Sequence, residues 1–173
     1  INSDDDFFRE IAENNGINFF HREHKFADSQ STTETVVSNF LENIDCTNLF
    51  WLNTSSPLTT IQDIKLAKES FSGSVFDSMV TTYPLLNHAL MEGKPINFKR
   101  TPWPRSQDLE PLVSLPFAIS ILKRSDLIKW KSCVGKNPRF YFLDPVTATD
   151  IDEMHNFKFA EFIFNSKKNW SKK

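Results

Sequence analysis

A chain of 173 residues with 39% hydrophobic and 13% aromatic residues can bury one full core, and nothing in it reads as disordered. The 20 Lys and Arg against 22 Asp and Glu leave a formal charge of -2, which argues against nucleic acid or an anionic membrane as the main partner. The longest apolar runs, such as Leu49 to Leu52, are far short of the roughly 18 residues of a membrane span, and no signal-type start is seen, so a soluble cytoplasmic protein is expected.

In chain order, Asp6 to Asn15 reads as helix and Ile17 to His21 as extended. From Ser31 to Ile44, the residues Val36, Val37, Phe40, Leu41 and Ile44 fall on one helical stripe, and Ser31 with Glu34 has the pattern of a capping box. Asn48 to Asn53 is a short apolar run of the length of a strand buried on both faces. A second helix begins at Thr60, places Ile61, Ile64, Ala67, Lys68 and Phe71 on one side, and stops at Ser72-Gly73. Ser74 to Thr82 is extended again.

This alternation predicts an α/β chain, a mostly parallel sheet with helices on both faces, in which ligands bind at the carboxyl ends of strands. Residues 1–173 are expected to form a single domain. Between Thr82 and Glu110 the prolines at 84, 95, 102 and 104 interrupt any long helix, and an arm is expected over residues 83–104. Regular structure resumes with Leu112 to Leu122 as a strand, Ser125 to Lys131 as a helix, Phe140 to Leu143 as a strand and Met154 to Asn165 as the closing helix.

Cys46 and Cys133 lack CxxC or His-spaced partners and read as ordinary thiols. The four glycines, at 16, 73, 93 and 135, are too scattered to cradle a phosphate. Asp150 and Asp152, two apart before the closing helix, would offer two carboxylates on one side of an extended segment, a geometry suited to a divalent cation. Acidic residues there also serve as helix caps.

Asn53 to Leu58, Arg105 to Pro111 and Asp150 to Asp152 stand in the order of three motifs of the acylneuraminate cytidylyltransferases, and the chain resembles that family. The resemblance extends to Ser3-Asp4-Asp5, to Arg22 through Asp28 into Ser31-Thr32, to Asp77-Ser78 and to Phe157 through Glu161, so it covers nearly the whole chain. It implies a Rossmann-like nucleotidyltransferase. In that family an acidic sugar's anomeric hydroxyl attacks the α-phosphorus of CTP, with Mg²⁺ assistance and pyrophosphate as leaving group.

Carried over residue by residue, the resemblance assigns Asp150 and Asp152 to Mg²⁺, with Asp152 catalytic, and Arg22, Ser31 and Thr32 to the nucleotide. It assigns Asn53, Arg105 and Gln107 to a nonulosonic acid, and the arm to a homodimer contact. The family's N-terminal triphosphate loop has no counterpart in these residues, so the expectation is either a piece of a longer enzyme or a domain unable to hold CTP unaided. Thr59, His155-Asn156 and Phe117-Ala118 also depart from the family pattern. The alternatives are a nucleotide-sugar glycosyltransferase, whose acidic pair normally follows an early or central strand rather than preceding the last helix, and a catalytically silent sugar-binding or dimerisation domain.

Overall fold

The protein is described by a computed structural model covering residues 1–28, 30–72 and 75–170, with the side chains of 33, 34 and 167–170 left aside. The elements are β1 Asn2–Ser3, α1 Phe7–Asn14, β2 Phe20–His21, α2 Thr33–Asn43, β3 Asn48–Leu52, α3 Ile61–Phe71, β4 Ser78–Leu85, β5 Leu90–Met91, β6 Lys94–Pro95, β7 Leu112–Ser114, β8 Ile119–Lys123, α4 Arg124–Trp130, β9 Pro138–Phe142 and α5 Met154–Trp170. Short 3₁₀ turns occupy His24–Phe26 and Ser106–Asp108.

The α/β, Rossmann-like class expected from the sequence holds. β1 and β2 pair in parallel as a small sheet. In the larger sheet, β8 lies between β3 and β4 and is antiparallel to both, so β3 and β4 share a direction, and β9 joins β4 in parallel. The parallel relation is therefore kept among β3, β4 and β9, with β8 inserted against it. The reason is the arm: the chain leaves the end of β4, turns, and returns beside it, a hairpin-like path that yields an antiparallel neighbour without a crossover.

The strand expected over Leu112 to Leu122 is split. Its first part, β7, pairs with Tyr83–Leu85 and its second, β8, with Ser78–Val80. Between them Phe117 takes φ 52, a left-handed conformation that no strand sustains. β4 itself begins later than Ser74 and runs on to Leu85, so Pro84 is a strand residue. It is tolerated because it sits at the end of a sheet segment paired there with β7.

Residue alternation along β3 and β8 explains the two helical layers. Leu49 and Leu122 pack with Val37, Phe40 and Leu41 of α2 and Leu127 of α4. Ile119, Ile121 and Met79 pack with Ala67 of α3 on the opposite face, with Phe50, Ile64 and Phe71 against them. Successive strand residues point to opposite faces, so an all-apolar strand such as β3 needs cover on both.

The helix starts are set by side chains. Thr60 caps α3 in a reciprocal capping box with Asp63. At α2 the expected Ser31 cap is replaced by Thr32, whose hydroxyl accepts the Thr35 N–H at 3.2 Å. Ser31 instead turns its hydroxyl toward the Lys25 carbonyl at 2.9 Å and Asp28 Oδ1 at 3.0 Å, which commits it to the preceding loop. The Glu34 side chain and Gly73 lie outside the described residues.

The arm is organised around Asn97, which accepts from the Ala89 N–H and donates to the Asn87 and Glu110 carbonyls. Its tip is the β5–β6 hairpin, where Glu92 and Gly93 both take positive φ, as a two-residue turn of this hand requires. His88 stacks on Trp103 with ring centroids 5.0 Å apart, and Phe98 meets both rings edge-on.

Candidate active site

The loop after β3 is joined to the segment before α5. Ser55 Oγ donates to Asp150 Oδ1 at 2.5 Å, and the Ile151 N–H donates to the Ser55 carbonyl at 2.8 Å. The same loop is held to the sheet by the Asn53 N–H, which donates to the Ala118 carbonyl at 3.1 Å. Behind it, Ala118, Leu143 and Ala148 form a small apolar cluster with Tyr83 and Tyr141 against it. The Leu143 N–H donates to the Thr82 carbonyl. Asn53, Asp150 and the Phe117-Ala118 bend thus converge where β3, β4 and β9 end, the place where ligands bind in open α/β sheets.

The two aspartates have different surroundings. Asp150 is half-buried and bonded to Ser55, whereas Asp152 is exposed and, among the described residues, makes no hydrogen bond or ion pair. Neither is seen to cap α5. At that end Asn156 Oδ1 accepts the Glu153 N–H. No cluster of three or more His, Cys, Asp or Glu side chains suited to a metal occurs among the described residues.

Arg22 directly follows β2, Ser31 ends the loop before α2, and Thr32 is the cap of that helix. Arg22 stands 3.8 Å from Asp4 through its Nη2, and its buried Nε has no partner among the described residues. Ser56 Oγ and Thr59 Oγ1, in the loop after β3, are likewise buried and unpartnered among those residues. Arg105 and Gln107 sit in the Ser106–Asp108 turn at the base of the arm, both exposed. The Arg105 guanidinium forks onto Asp108 at 2.7 and 2.9 Å, and this bond raises its pKa further above the ordinary value. The contacts of Arg105 and Gln107 stay within this turn, so their approach to Asn53 is not made by a direct bond.

Asp77 and Ser78 have a structural role. Asp77 Oδ2 accepts the Lys136 and Asn137 N–H groups at 3.0 and 2.8 Å, and Ser78 Oγ accepts the Gly135 N–H at 2.8 Å. They clamp the loop that delivers the chain to β9.

One feature was not legible as a site in the sequence. A cavity of about 380 Å³ opens beside Asn53, walled by Trp51, Phe117 and Cys133 with Ser120 and Lys131 on its lining. Trp51 reads from sequence as packing, and it does meet Phe40 edge-on at 5.1 Å, yet its remaining surface faces the cavity. Burial pushes the Cys133 thiol above its ordinary pKa. The available signal was Ser120, a lone hydroxyl inside the apolar run Ile119 to Leu122.

The fold is shared with solved structures of other proteins. The 4-diphosphocytidyl-2C-methyl-D-erythritol synthase of Anaerococcus prevotii superposes with a TM-score of 0.67 at 9% identity, over 94% of this chain and 77% of that one. The bifunctional IspDF of Campylobacter jejuni does so with a TM-score of 0.58 at 12% identity, over 91% of this chain and 40% of that one. At such identities the likeness is one of fold.

In sequence the chain is similar to the post-translational flagellin modification protein B of Campylobacter coli, 28% identical over 96% of this chain and 77% of that protein. It is also 26% identical to the N-acylneuraminate cytidylyltransferase of Streptococcus agalactiae serotype V, over 91% of this chain and 40% of that protein. No protein-family model matches the chain. The resemblance to the acylneuraminate cytidylyltransferases that the motifs carry is thereby upheld.

Proposed function

We propose that the protein transfers CMP from CTP to an acidic nine-carbon sugar, a nonulosonic acid, in the cytoplasm. The observation that carries this reading is the Ser55–Asp150 bond, which joins two family motifs 95 residues apart at the carboxyl ends of the strands. In the reaction, the sugar's anomeric oxygen bonds to the α-phosphorus. The bond from that phosphorus to the bridging oxygen breaks, pyrophosphate leaves with the electron pair, and the hydroxyl proton passes to the exposed Asp152 carboxylate.

The donor set suits Mg²⁺, which takes one or two carboxylates and completes its shell with water and substrate phosphates. Asp150 and Asp152 would hold it, and when bound it supplies neutralisation of phosphate charge. Arg22, Ser31 and Thr32 bind the nucleotide. The unpartnered Arg22 Nε offers an N–H that a nucleotide oxygen would satisfy. Asn53, Arg105 and Gln107 bind the sugar. Arg105 would exchange Asp108 for the sugar carboxylate, an exchange of one forked pair for another.

The test is pyrophosphate release from CTP, Mg²⁺ and N-acetylneuraminate by the protein as its gene encodes it, beside its Asp152→Ala variant. CMP-sugar formation by the parent, reduced at least about 100-fold in the variant, is expected for loss of a metal-holding carboxylate. Absence of CMP-sugar from any acidic sugar tried, or equal turnover by the variant, overturns the reading.

A further inference from the structure

Three consecutive aspartates, Asp4, Asp5 and Asp6, lead from β1 into α1, and two of them have local duties. Asp5 Oδ1 accepts the Phe7 N–H at 2.9 Å at the start of the helix, and Ser3 Oγ accepts the Asp5 N–H at 3.2 Å. Asp6 Oδ1 is taken by Arg9 at 3.0 Å, with the His21 ring at 3.6 Å. The Asp4 carboxylate takes no part in this turn. Among the described residues it has one partner, the guanidinium of Arg22.

The backbone brings this pair together. β1 and β2 run in parallel with Ser3 opposite His21, and the Arg22 N–H extends the ladder by donating to the Ser3 carbonyl at 2.8 Å. Asp4 and Arg22 are therefore the first residues beyond the two strands, at the carboxyl ends where open α/β sheets bind ligands. Both side chains are partly shielded, Arg22 24% and Asp4 35% exposed, so their attraction is less screened than that of the surface pair Lys25–Glu23.

The nitrogens of the guanidinium are treated differently. Nη2 faces Asp4 at 3.8 Å, beyond the ~3.2 Å of an N–H···O bond, so the carboxylate attracts and aims the group without using up a donor. Nε is buried and unpartnered among the described residues. A buried donor left unpaired is costly, and it persists where a ligand completes it. An arginine already held in place also loses less freedom when that ligand arrives.

We infer that Asp4 is a positioning residue for the nucleotide: it draws the Arg22 guanidinium by Nη2 so that the Nε–H stays turned to the ligand. The inference rests on the nucleotide role proposed for Arg22 and adds the group that sets that role up. Its sign is distinctive. A carboxylate acting on its own repels an anionic nucleotide, so its removal would tighten binding, whereas removal of a positioning carboxylate loosens it.

The test measures CTP binding by isothermal calorimetry, with Mg²⁺ present, for the protein as its gene encodes it and for Asp4→Asn, Asp4→Glu, Arg22→Ala and the double variant Asp4→Asn with Arg22→Ala. Asp4→Asn keeps the shape and removes the charge, and is expected to weaken CTP by about 2- to 5-fold, the worth of a partly exposed ion pair. Asp4→Glu, which restores the charge on a longer stem, should regain most of that loss. In the Arg22→Ala background Asp4→Asn should do nothing further, because residues that act through one contact do not add. In CMP transfer to N-acetylneuraminate, Asp4→Asn should raise KM for CTP and leave KM for the sugar as it was.

Unchanged or tighter CTP binding by Asp4→Asn, or the same loss with and without Arg22, overturns the positioning role and leaves the cytidylyltransferase reading standing. Equal CTP affinity in the parent and Arg22→Ala overturns the nucleotide role of Arg22 and this inference with it. A parent that binds no CTP overturns the reaction as well.

Discussion

Ser55 Oγ and Asp150 Oδ1 lie 2.5 Å apart across 95 residues of chain. This bond fixes the loop after β3 against the segment before α5, and the Ile151 N–H reinforces it through the Ser55 carbonyl. Replacing Ser55 by Ala removes the donor and leaves a half-buried carboxylate with one bond fewer. A loss of about 1.5–3 kcal/mol, the range for hydrogen bonds to charged groups, is expected in urea denaturation. Under the proposed function, Mg²⁺-dependent turnover should fall as well, and a variant with unchanged midpoint and turnover would show the bond to be incidental.

Gly135 is fixed by its neighbours. A Cβ built there would meet Asp77 Oδ1 at 2.0 Å and Ser78 Oγ at 2.7 Å, the two groups that hold residues 135–137. Gly135→Ala must therefore break the clamp, at a cost of about 1–3 kcal/mol. Asp77→Ala should destabilise comparably, by leaving the Lys136 and Asn137 N–H groups without their acceptor. The two losses should not add in the double variant, because they break the same contact. Full additivity in denaturation midpoints would reject the shared clamp.

Burial holds the Cys133 thiol above its ordinary pKa, so at a given pH the folded protein keeps its proton where the unfolded chain has released it. Stability from this group is complete below the unfolded value, about 8.5, and is lost as pH rises through the folded value. Removing the thiol with Cys133→Ala should flatten the decline of melting temperature as pH rises above about 8.5. The same proton retention lowers thiolate reactivity, and alkylation by iodoacetamide at pH 8 should be slower than for an unhindered cysteine.

The arm exposes Leu86, Leu90, Met91, Ile96 and Trp103 in a segment whose backbone is tied down by Asn97. Apolar residues on an ordered projection fit the proposed packing against a second subunit. Leu90→Lys combined with Met91→Lys should shift sedimentation from dimer to monomer without lowering the melting temperature of the protomer. A parent that sediments as monomer would overturn the dimer.

Much of the architecture was legible because it depends on local pattern. The stripe of Val37, Phe40 and Leu41, the Thr60 start of α3 and the apolar run of β3 each carry their periodicity within a dozen residues, and the elements appear at those places. Boundaries moved where side-chain competition decides them. Thr32 caps α2 because Ser31 is drawn to Lys25 and Asp28, a choice between adjacent hydroxyls that the capping pattern does not contain.

The sequence by itself determined the α/β class, the succession of most elements and the motif order that carries the family resemblance. Only the tertiary structure decided that β8 runs against its neighbours, that the 112–122 run breaks at Phe117, and that Ser55 meets Asp150. It also decided that Trp51, Asn53 and Ser120 share one cavity. The physical reason is range. Helical and strand periodicity arise from interactions a few residues apart, whereas a site depends on bonds closed over tens of residues, whose partners carry no local mark beyond a polar side chain in an apolar run.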